Sequence, residues 1–306
     1  MKTITLDTVV VALVFFSMQG CMSGGISVDT PEQIKMSFAA DGIIDDEPCT
    51  KTALDGLVIL WSAQDTVGVY PDSGSQVFFS LASGAECSSA SFDGGGWDFK
   101  ESATYYSYYP FIGDIYLDRT RIPVSFLGQE QNGVDNFDHF GAYDFMYADA
   151  ATKENDMIHF SYHHFSCILR VMATLPAGTY TQLTVKAPEP VFVENGYYDL
   201  TSAAPAIIPV KSSDTLALDL KNLHLTGSSN SCEMYVVSAP FDLAGKEIVL
   251  TLTDNTGDKI QCAYRISKAY VSGTRYKLTC PSWTRIPTNG NAPIRDWING
   301  ETVTIQ

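Results

Sequence analysis

Basic residues are scarce in this sequence. Its 306 residues carry 19 Lys and Arg against 35 Asp and Glu, a formal net charge of -16. A field of that sign repels phosphate backbones and excludes nucleic acid as a partner class. Between Cys21 and Lys100 the only basic residues are Lys35 and Lys51, and no arginine precedes Arg119. Charge of either sign is low, 18% against 45% hydrophobic content, which describes an ordered globular chain rather than a disordered one. Beyond the first two dozen residues no apolar run is long enough for a transmembrane helix. Helical periodicity is missing too: no amphipathic stretch of ten residues follows the N-terminal segment. There is no Cys-x-x-Cys, no Gly-x-Ser-x-Gly elbow, no phosphate-cradling glycine loop and no His-Glu-x-x-His. No pair of carboxylates stands out for hydrolytic chemistry. The expectation is a protein that is not an enzyme and binds neither cofactor nor metal.

The N-terminus is informative. Lys2 precedes an apolar run at residues 8–18, of signal-peptide length and too short to span a bilayer comfortably. Gly20 then precedes Cys21, with Met-Ser-Gly-Gly following, a pattern that looks like a bacterial lipobox in which the cysteine is acylated. Residues 1–20 read as signal peptide and 21–32 as a lipid-anchored tether, which predicts an outer-membrane lipoprotein at the cell surface. The plainer alternative is an ordinary secretory signal with an unrelated cysteine. Beyond Cys21 stand Cys49, Cys87, Cys167, Cys232, Cys262 and Cys280. An even number in an exported chain permits disulfides, but spacing this wide assigns no pair. Cys167, Cys232 and Cys262 fall within alternating strands, where buried thiols are the competing reading.

What is present is strand pattern. Residues 158–173 form the longest such stretch: Phe165, Cys167, Leu169, Val171 and Ala173 on one side, Ser166, Ile168, Arg170 and Met172 on the other. Sixteen residues exceed one average strand, so this is a bent strand or two strands meeting near His163 and His164. Upstream, Ile34, Met36 and Phe38 alternate within 33–40, and short strands are predicted at 57–61, 66–70, 76–81, 104–111 and 122–126. Residues 93–97 read as a turn and 129–144 as a long polar connection. Downstream, alternation marks 181–185, 214–221 and 232–236, then a hairpin of Ile248, Leu250 and Leu252 against Ile260, Cys262, Tyr264 and Ile266. The fold class is all-β, with an N-terminal β-sandwich over 33–157 and a C-terminal one over 158–306.

Four groups of residues invite a chemical reading. His159, His163 and His164 suggest a metal, yet His159 and His163 lie about 13 Å apart along a strand at ~3.3 Å per residue, and His163 and His164 point to opposite faces. Asp254 and Asp258 flank Asn-Thr-Gly, where turn chemistry accounts for each residue without calcium. Cys167 sits near both histidines, but its apolar neighbours place it in a core. Trp97, Tyr105 and Tyr106 could stack on sugar rings, which carries the alternative of a surface glycan-binding lipoprotein; on a two-faced strand half of the tyrosines would instead be core.

Several stretches together resemble the fimbrillin family, lipoprotein-precursor subunits of type V pili. They are Ile59-Leu-Trp61 after Lys51-Thr52, Asp65-Thr-Val-Gly-Val-Tyr70, Tyr108-Tyr-Pro-Phe111, Gln129 to Gln131, and Asp144-Phe-Met-Tyr-Ala148. Phe160 to Val171 and Ile294-Arg-Asp-Trp297 complete the set. The resemblance implies two tandem transthyretin-like β-sandwich domains and a role in pilus structure or adhesion. It also implies assembly by strand exchange, in which a protease removes the first strand and a neighbour's strand fills the groove. On this reading Ile34, Met36 and Phe38 belong to the exchanged strand and cleavage falls at Lys51. Val303 and Ile305 lie on the terminal or donor strand. Partners would be other pilus subunits or further copies of the chain, and a surface receptor or glycan. An arginine-specific protease finds no target before Arg119, so a chain that keeps its first strand and lipid would be an anchor or a monomeric surface lipoprotein.

Overall fold

Apolar side chains at every second position can be buried only by laying each strand against another layer. The computed structural model describes residues 34–40, 44–45, 60–95, 102–114, 117–134, 136, 138–154 and 157–286, and residues 34–40 and 44–45 enter as backbone. In chain order the strands are β1 (Ile34–Ala40), β2 (Ile44–Asp45), β3 (Thr66–Pro71), β4 (Val77–Ser83), β5 (Ser89–Gly94), β6 (Tyr105–Tyr109), β7 (Ile122–Ser125), β8 (Gln129–Glu130), β9 (Met146–Ala148), β10 (Lys153–Glu154) and β11 (Met157–His164). There follow β12 (Cys167–Leu175), β13 (Gly178–Lys186), β14 (Phe192–Tyr198), β15 (Ile208–Ser213), β16 (Thr215–Leu225), β17 (Asn230–Ser238), β18 (Glu247–Asp254), β19 (Lys259–Arg265), β20 (Thr274–Cys280) and β21 (Thr284–Ile286). A single turn of helix, α1 (Phe140–Tyr143), is the helical element among the described residues. The fold is all-β.

The first sheet closes on itself. β5, β4, β3, β6, β9 and β11 are neighbours in that order, and β1 pairs with both β5 and β11. Its interior is aromatic: Trp61 packs edge-on against Phe92, Tyr109 and Tyr162, with ring centroids 5.0, 5.5 and 5.6 Å away. Two glycines make room for rings. A Cβ at Gly68 would lie 2.1 Å from the Tyr108 ring, and one at Gly94 2.5 Å from that of Phe79.

The stretch at 158–173 is two strands. β11 stays in the first sheet, and Phe165-Ser166 carry the chain across to β12 in the second. There the four-stranded sheet β17-β12-β20-β2 and the six-stranded sheet β21-β19-β18-β13-β16-β8 share one core, with Leu169, Val171, Leu183, Leu218, Met234 and Leu250 fully enclosed. A three-stranded sheet, β15-β14-β7, covers a further core at the seam. That core takes Ile168, Tyr235 and Val237 from the outer faces of β12 and β17, and Tyr70 and Tyr108 from the first sheet. β12 and β17 are therefore buried on both faces, which is why residues 167–171 read as almost continuously apolar.

Candidate site of strand exchange and the sealed edge near it

The first of the described strands sits between two others and pairs with both. β1 runs antiparallel to β5, from Ile34 opposite Gly94 to Ala39 opposite Ser89, and parallel to β11, from Lys35 opposite Met157 to Ala40 opposite Tyr162. Met36 is in register with Phe92 on one side and Ile158 on the other; Phe38 is in register with Ala90 and Phe160. All four of those neighbours are buried. The alternate positions Ile34, Met36 and Phe38 thus fall at register positions flanked by Gly94 or core residues. Cys21, Lys51, Val303 and Ile305 lie outside the described residues, as do Cys49, Trp97 and Trp297.

A second edge is closed by different means. β17 ends its sheet, and an edge strand presents unpaired N–H and C=O groups at alternate residues. Here side-chain amides fill them. Val237 donates to Gln129 Oε1 at 2.7 Å, and Gln129 Nε2 donates to the Val237 carbonyl at 2.7 Å and to that of Phe126 at 3.0 Å. Two residues along, Tyr235 donates to Gln131 Oε1 at 2.9 Å, and Gln131 Nε2 donates to the Glu233 carbonyl at 2.9 Å. His139 Nε2 lies 3.1 Å from the Tyr235 carbonyl, which can only accept, so this nitrogen carries the hydrogen. Meanwhile the backbone of β8 pairs with β16 on the facing sheet. One short segment therefore closes both layers of the sandwich. The expectation of a long polar connection at 129–144 misses this, because hydrophobic periodicity does not register an amide acting as a peptide group.

At the seam, polar side chains from the resembling motifs meet. The buried His164 holds its Nδ1 2.6 Å from Asp144 Oδ1, and Ser166 donates to the Tyr143 carbonyl at 2.7 Å. A carboxylate accepts only, so Nδ1 is the protonated nitrogen of His164. Tyr109 donates to Asp65 Oδ1 at 3.0 Å, and Asp65 Oδ2 accepts from the Ser62 amide at 2.6 Å. Burial raises the Asp65 carboxyl above the usual carboxylate range, and the neighbouring Asp144 adds to the rise. Burial also pushes the Tyr109 hydroxyl far up, reinforced by Asp65. These groups hold backbone and one another.

The three histidines of β11 disperse as the strand geometry requires. His159 is exposed, His163 lies 2.9 Å from Asp149 Oδ2, and His164 turns inward. Among the described residues no group of three or more His, Cys, Asp or Glu is placed to hold a metal ion. Asp254 Oδ1 accepts from the amides of Thr256 and Asp258 at 2.8 and 2.9 Å, ordinary turn chemistry. The sugar-stacking platform needs correction. Tyr105 and Tyr108 are wholly buried and Tyr109 nearly so, and the Arg119 guanidinium lies 5.6 Å from the centre of the half-buried Tyr106 ring. A cleft of about 460 Å³ beside β14 and β15 is lined mostly by apolar residues such as Pro190, Val193, Ile207 and Phe241, with Asp242 its one titratable side chain.

Sheets closed by the strand at residues 34–40 in one place and by glutamine amides in another define a layered all-β protein whose distinctive chemistry is backbone pairing. Residues 52–297 match the family described as Fimbrillin-like, and the chain belongs to that family. Among solved structures it is similar to a candidate cell adhesion protein from Bacteroides uniformis (TM-score 0.52, 16% identity, 85% of this chain and 97% of that one). It is also similar to another from Bacteroides ovatus (TM-score 0.50, 14% identity, 84% and 96%). At these identities the likeness shows the fold. A more distant similarity is to the tip fimbrial protein Mfa3 of Porphyromonas gingivalis (TM-score 0.38, 9% identity, 83% and 99%). No curated protein matches the sequence.

Proposed function

We propose that this chain is a fimbrial subunit or pilus-associated adhesin, exported as a lipoprotein through Cys21 and displayed from the outer membrane. Its work is assembly and adhesion, not catalysis. Its partners are other pilus subunits or further copies of itself, joined by strand addition, and a surface receptor or glycan met by the finished fibre. Family membership supports the class. The observation that carries the mechanism is the position of β1, a strand from the beginning of the chain that completes a sheet between β5 and β11. A cut after Lys51 would sever it, leaving two strand edges and the buried faces of Phe92, Ile158 and Phe160 for an incoming strand of alternating apolar residues. Val303 and Ile305 give residues 301–306 that alternation.

Two measurements test this. The mature N-terminus of surface-shed protein should be Thr52; an acylated Cys21 retained in assembled fibres would contradict strand removal. Chain cut after Lys51 should form denaturant-resistant ladders, and deletion of residues 301–306 should abolish them while the far-ultraviolet circular dichroism is retained. Ladders that persist after that deletion would refute the donor assignment.

A further inference from the structure

The C-terminal sandwich pinches at one corner, where β19 of one sheet meets β20 of the other. Several of their residues approach within 8 Å, Cα to Cα, closer than the ~10 Å that separates face-packed sheets. Tyr264 on β19 reaches across to donate to the Lys277 carbonyl on β20 at 3.3 Å. β20 runs parallel to β12, β19 runs the same way as β13, and β12 turns back into β13 within two residues, so β19 and β20 run in opposite directions and two residues back along β19 faces about three residues on along β20. That register brings Cys262 beside Cys280; both thiols are free in this structure, donating to the Ala263 carbonyl at 3.6 Å and the Leu278 carbonyl at 4.0 Å respectively. Both belong to the same core, and Cys262 is the less enclosed, 8% exposed against 1%.

The remaining described cysteines do not compete. Cys232 and Cys280 each stand opposite Ala173, one on either side of β12. Two strand spacings of ~4.8 Å exceed the ~7 Å limit for a bridge without backbone movement. Cys167 stands opposite Ser238, with its thiol 3.7 Å from the Ala239 carbonyl, and Cys87 is exposed on a turn of the first sheet. We propose that Cys262 and Cys280 are a disulfide-forming pair that ties the two sheets of the C-terminal sandwich together at its β19–β20 corner.

The chemistry is thiol–disulfide exchange with a low-molecular-weight or protein disulfide as oxidant. The Cys262 thiolate attacks one oxidant sulfur, forming a mixed disulfide and expelling the other sulfur as a thiolate. The Cys280 thiolate then attacks the Cys262 sulfur, the new S–S bond forms, and the second oxidant thiolate leaves. The oxidant gains two electrons, and the protons of the two protein thiols end on its sulfurs. Burial raises the Cys280 thiol, aided by the neighbouring Cys262, so the second step belongs to the folding chain before the corner closes. Formation in the cell rests on the export proposed above; the pairing itself does not.

The test therefore refolds the full chain in an oxidised and reduced glutathione mixture. It is then denatured, alkylated without reductant and mapped by peptide mass. A linked peptide pair holding Cys262 and Cys280, lighter than the separate peptides by two hydrogens, is expected, and C280S should leave Cys262 alkylated. Oxidised chain should melt about 5 °C or more above the C262S/C280S double variant, a gap that reductant closes. Alkylation of both cysteines in the oxidised wild type, or their linkage to other cysteines instead, would overturn the pairing.

Discussion

Replacing Gln129 should strip the β17 edge of the amide that closes it. The side chain is 1% exposed, and Val237 behind it likewise. In Gln129→Met the volume is largely kept, but the Val237 N–H and C=O and the Phe126 C=O each lose a partner. A buried backbone group left unsatisfied costs ~1–3 kcal/mol. For the two Val237 groups, with some relief from repacking, the loss should be about 3 kcal/mol, a large part of the stability of an ordinary domain. Gln129→Glu should be at least as damaging, since a carboxylate can accept from Val237 but cannot donate to either carbonyl. Glu130→Gln is the control: Glu130 is exposed and pairs with Lys221 at 2.7 Å, a surface contact worth ~0–1 kcal/mol. Urea midpoints of the full chain supply the energy, and hydrogen exchange over β17 supplies the location. Protection of the Val237 amide should fall in the Gln129 variants and that of the Tyr235 amide in Gln131→Met. If Gln129→Met unfolds within ~0.5 kcal/mol of Glu130→Gln and β17 stays protected, the amides are not what closes this edge.

Gly68→Ala places a methyl 2.1 Å from the enclosed Tyr108 ring and should cost about 3 kcal/mol, measured by urea unfolding; an unchanged midpoint would mean the ring is free to move. Asp144→Ala leaves the His164 Nδ1–H without its acceptor and should destabilise by ~3 kcal/mol, whereas Asp144→Asn, which keeps an accepting oxygen, should lose less; equal losses would remove the His164 bond as the cause. Burial lowers the His139 pKa below 6.5, so the folded chain keeps the imidazole neutral while the unfolded chain takes up a proton. The resulting stability is fully present above 6.5 and is lost as pH falls from there toward the lower folded value. Urea midpoints on the two sides of 6.5 should differ less in His139→Gln than in the wild type, and an identical pH dependence would place the effect elsewhere.

Much of the second half was legible because its strands obey one rule. Leu216, Leu218 and Leu220 alternate and are buried, and so are Ile248, Leu250 and Leu252. Where that rule gave out, other physics had taken over. β5 is Ser-Ala-Ser-Phe-Asp-Gly, small and polar except at Ala90 and Phe92, and Gly94 is a strand residue because the Phe79 ring occupies the place of its side chain. A reading from turn propensity makes that glycine a turn. β14 shifts register between Val193 and Asn195 and again before Gly196, which breaks any period of two, and β15 is an edge strand with no buried side chain. Tyr105 looked like a platform for sugars because sequence shows a ring and not which face of the strand it takes. The parallel register of β1 on β11 leaves no mark in either segment alone. Asp144 and His164 were both visible in the resembling motifs, yet their meeting depends on β9 and β11 pairing antiparallel, with Met146 opposite His164.

The two closed edges differ in what opening them requires. At β17 the closing groups are side chains of Gln129 and Gln131, on a segment whose own backbone is bound into the facing sheet at β16. Withdrawing them breaks both layers of the sandwich, so that edge opens only when the sandwich itself comes apart. At β5 and β11 the closing group is a whole strand near the start of the chain, ahead of the only basic site between it and Lys100. One peptide bond severed after Lys51 separates β1, together with the two-residue β2 that pairs with β20, and leaves β3 to β21 covalently continuous. An exchangeable strand needs that asymmetry: a place where backbone hydrogen bonds can be vacated and remade, beside one where they cannot. A chain that kept β1 while its β17 edge was laid bare by Gln129→Met should therefore associate at the wrong face, through β17, into aggregates that the 301–306 deletion leaves unchanged. Aggregates abolished by that deletion would mean the terminal residues do not discriminate between the two edges.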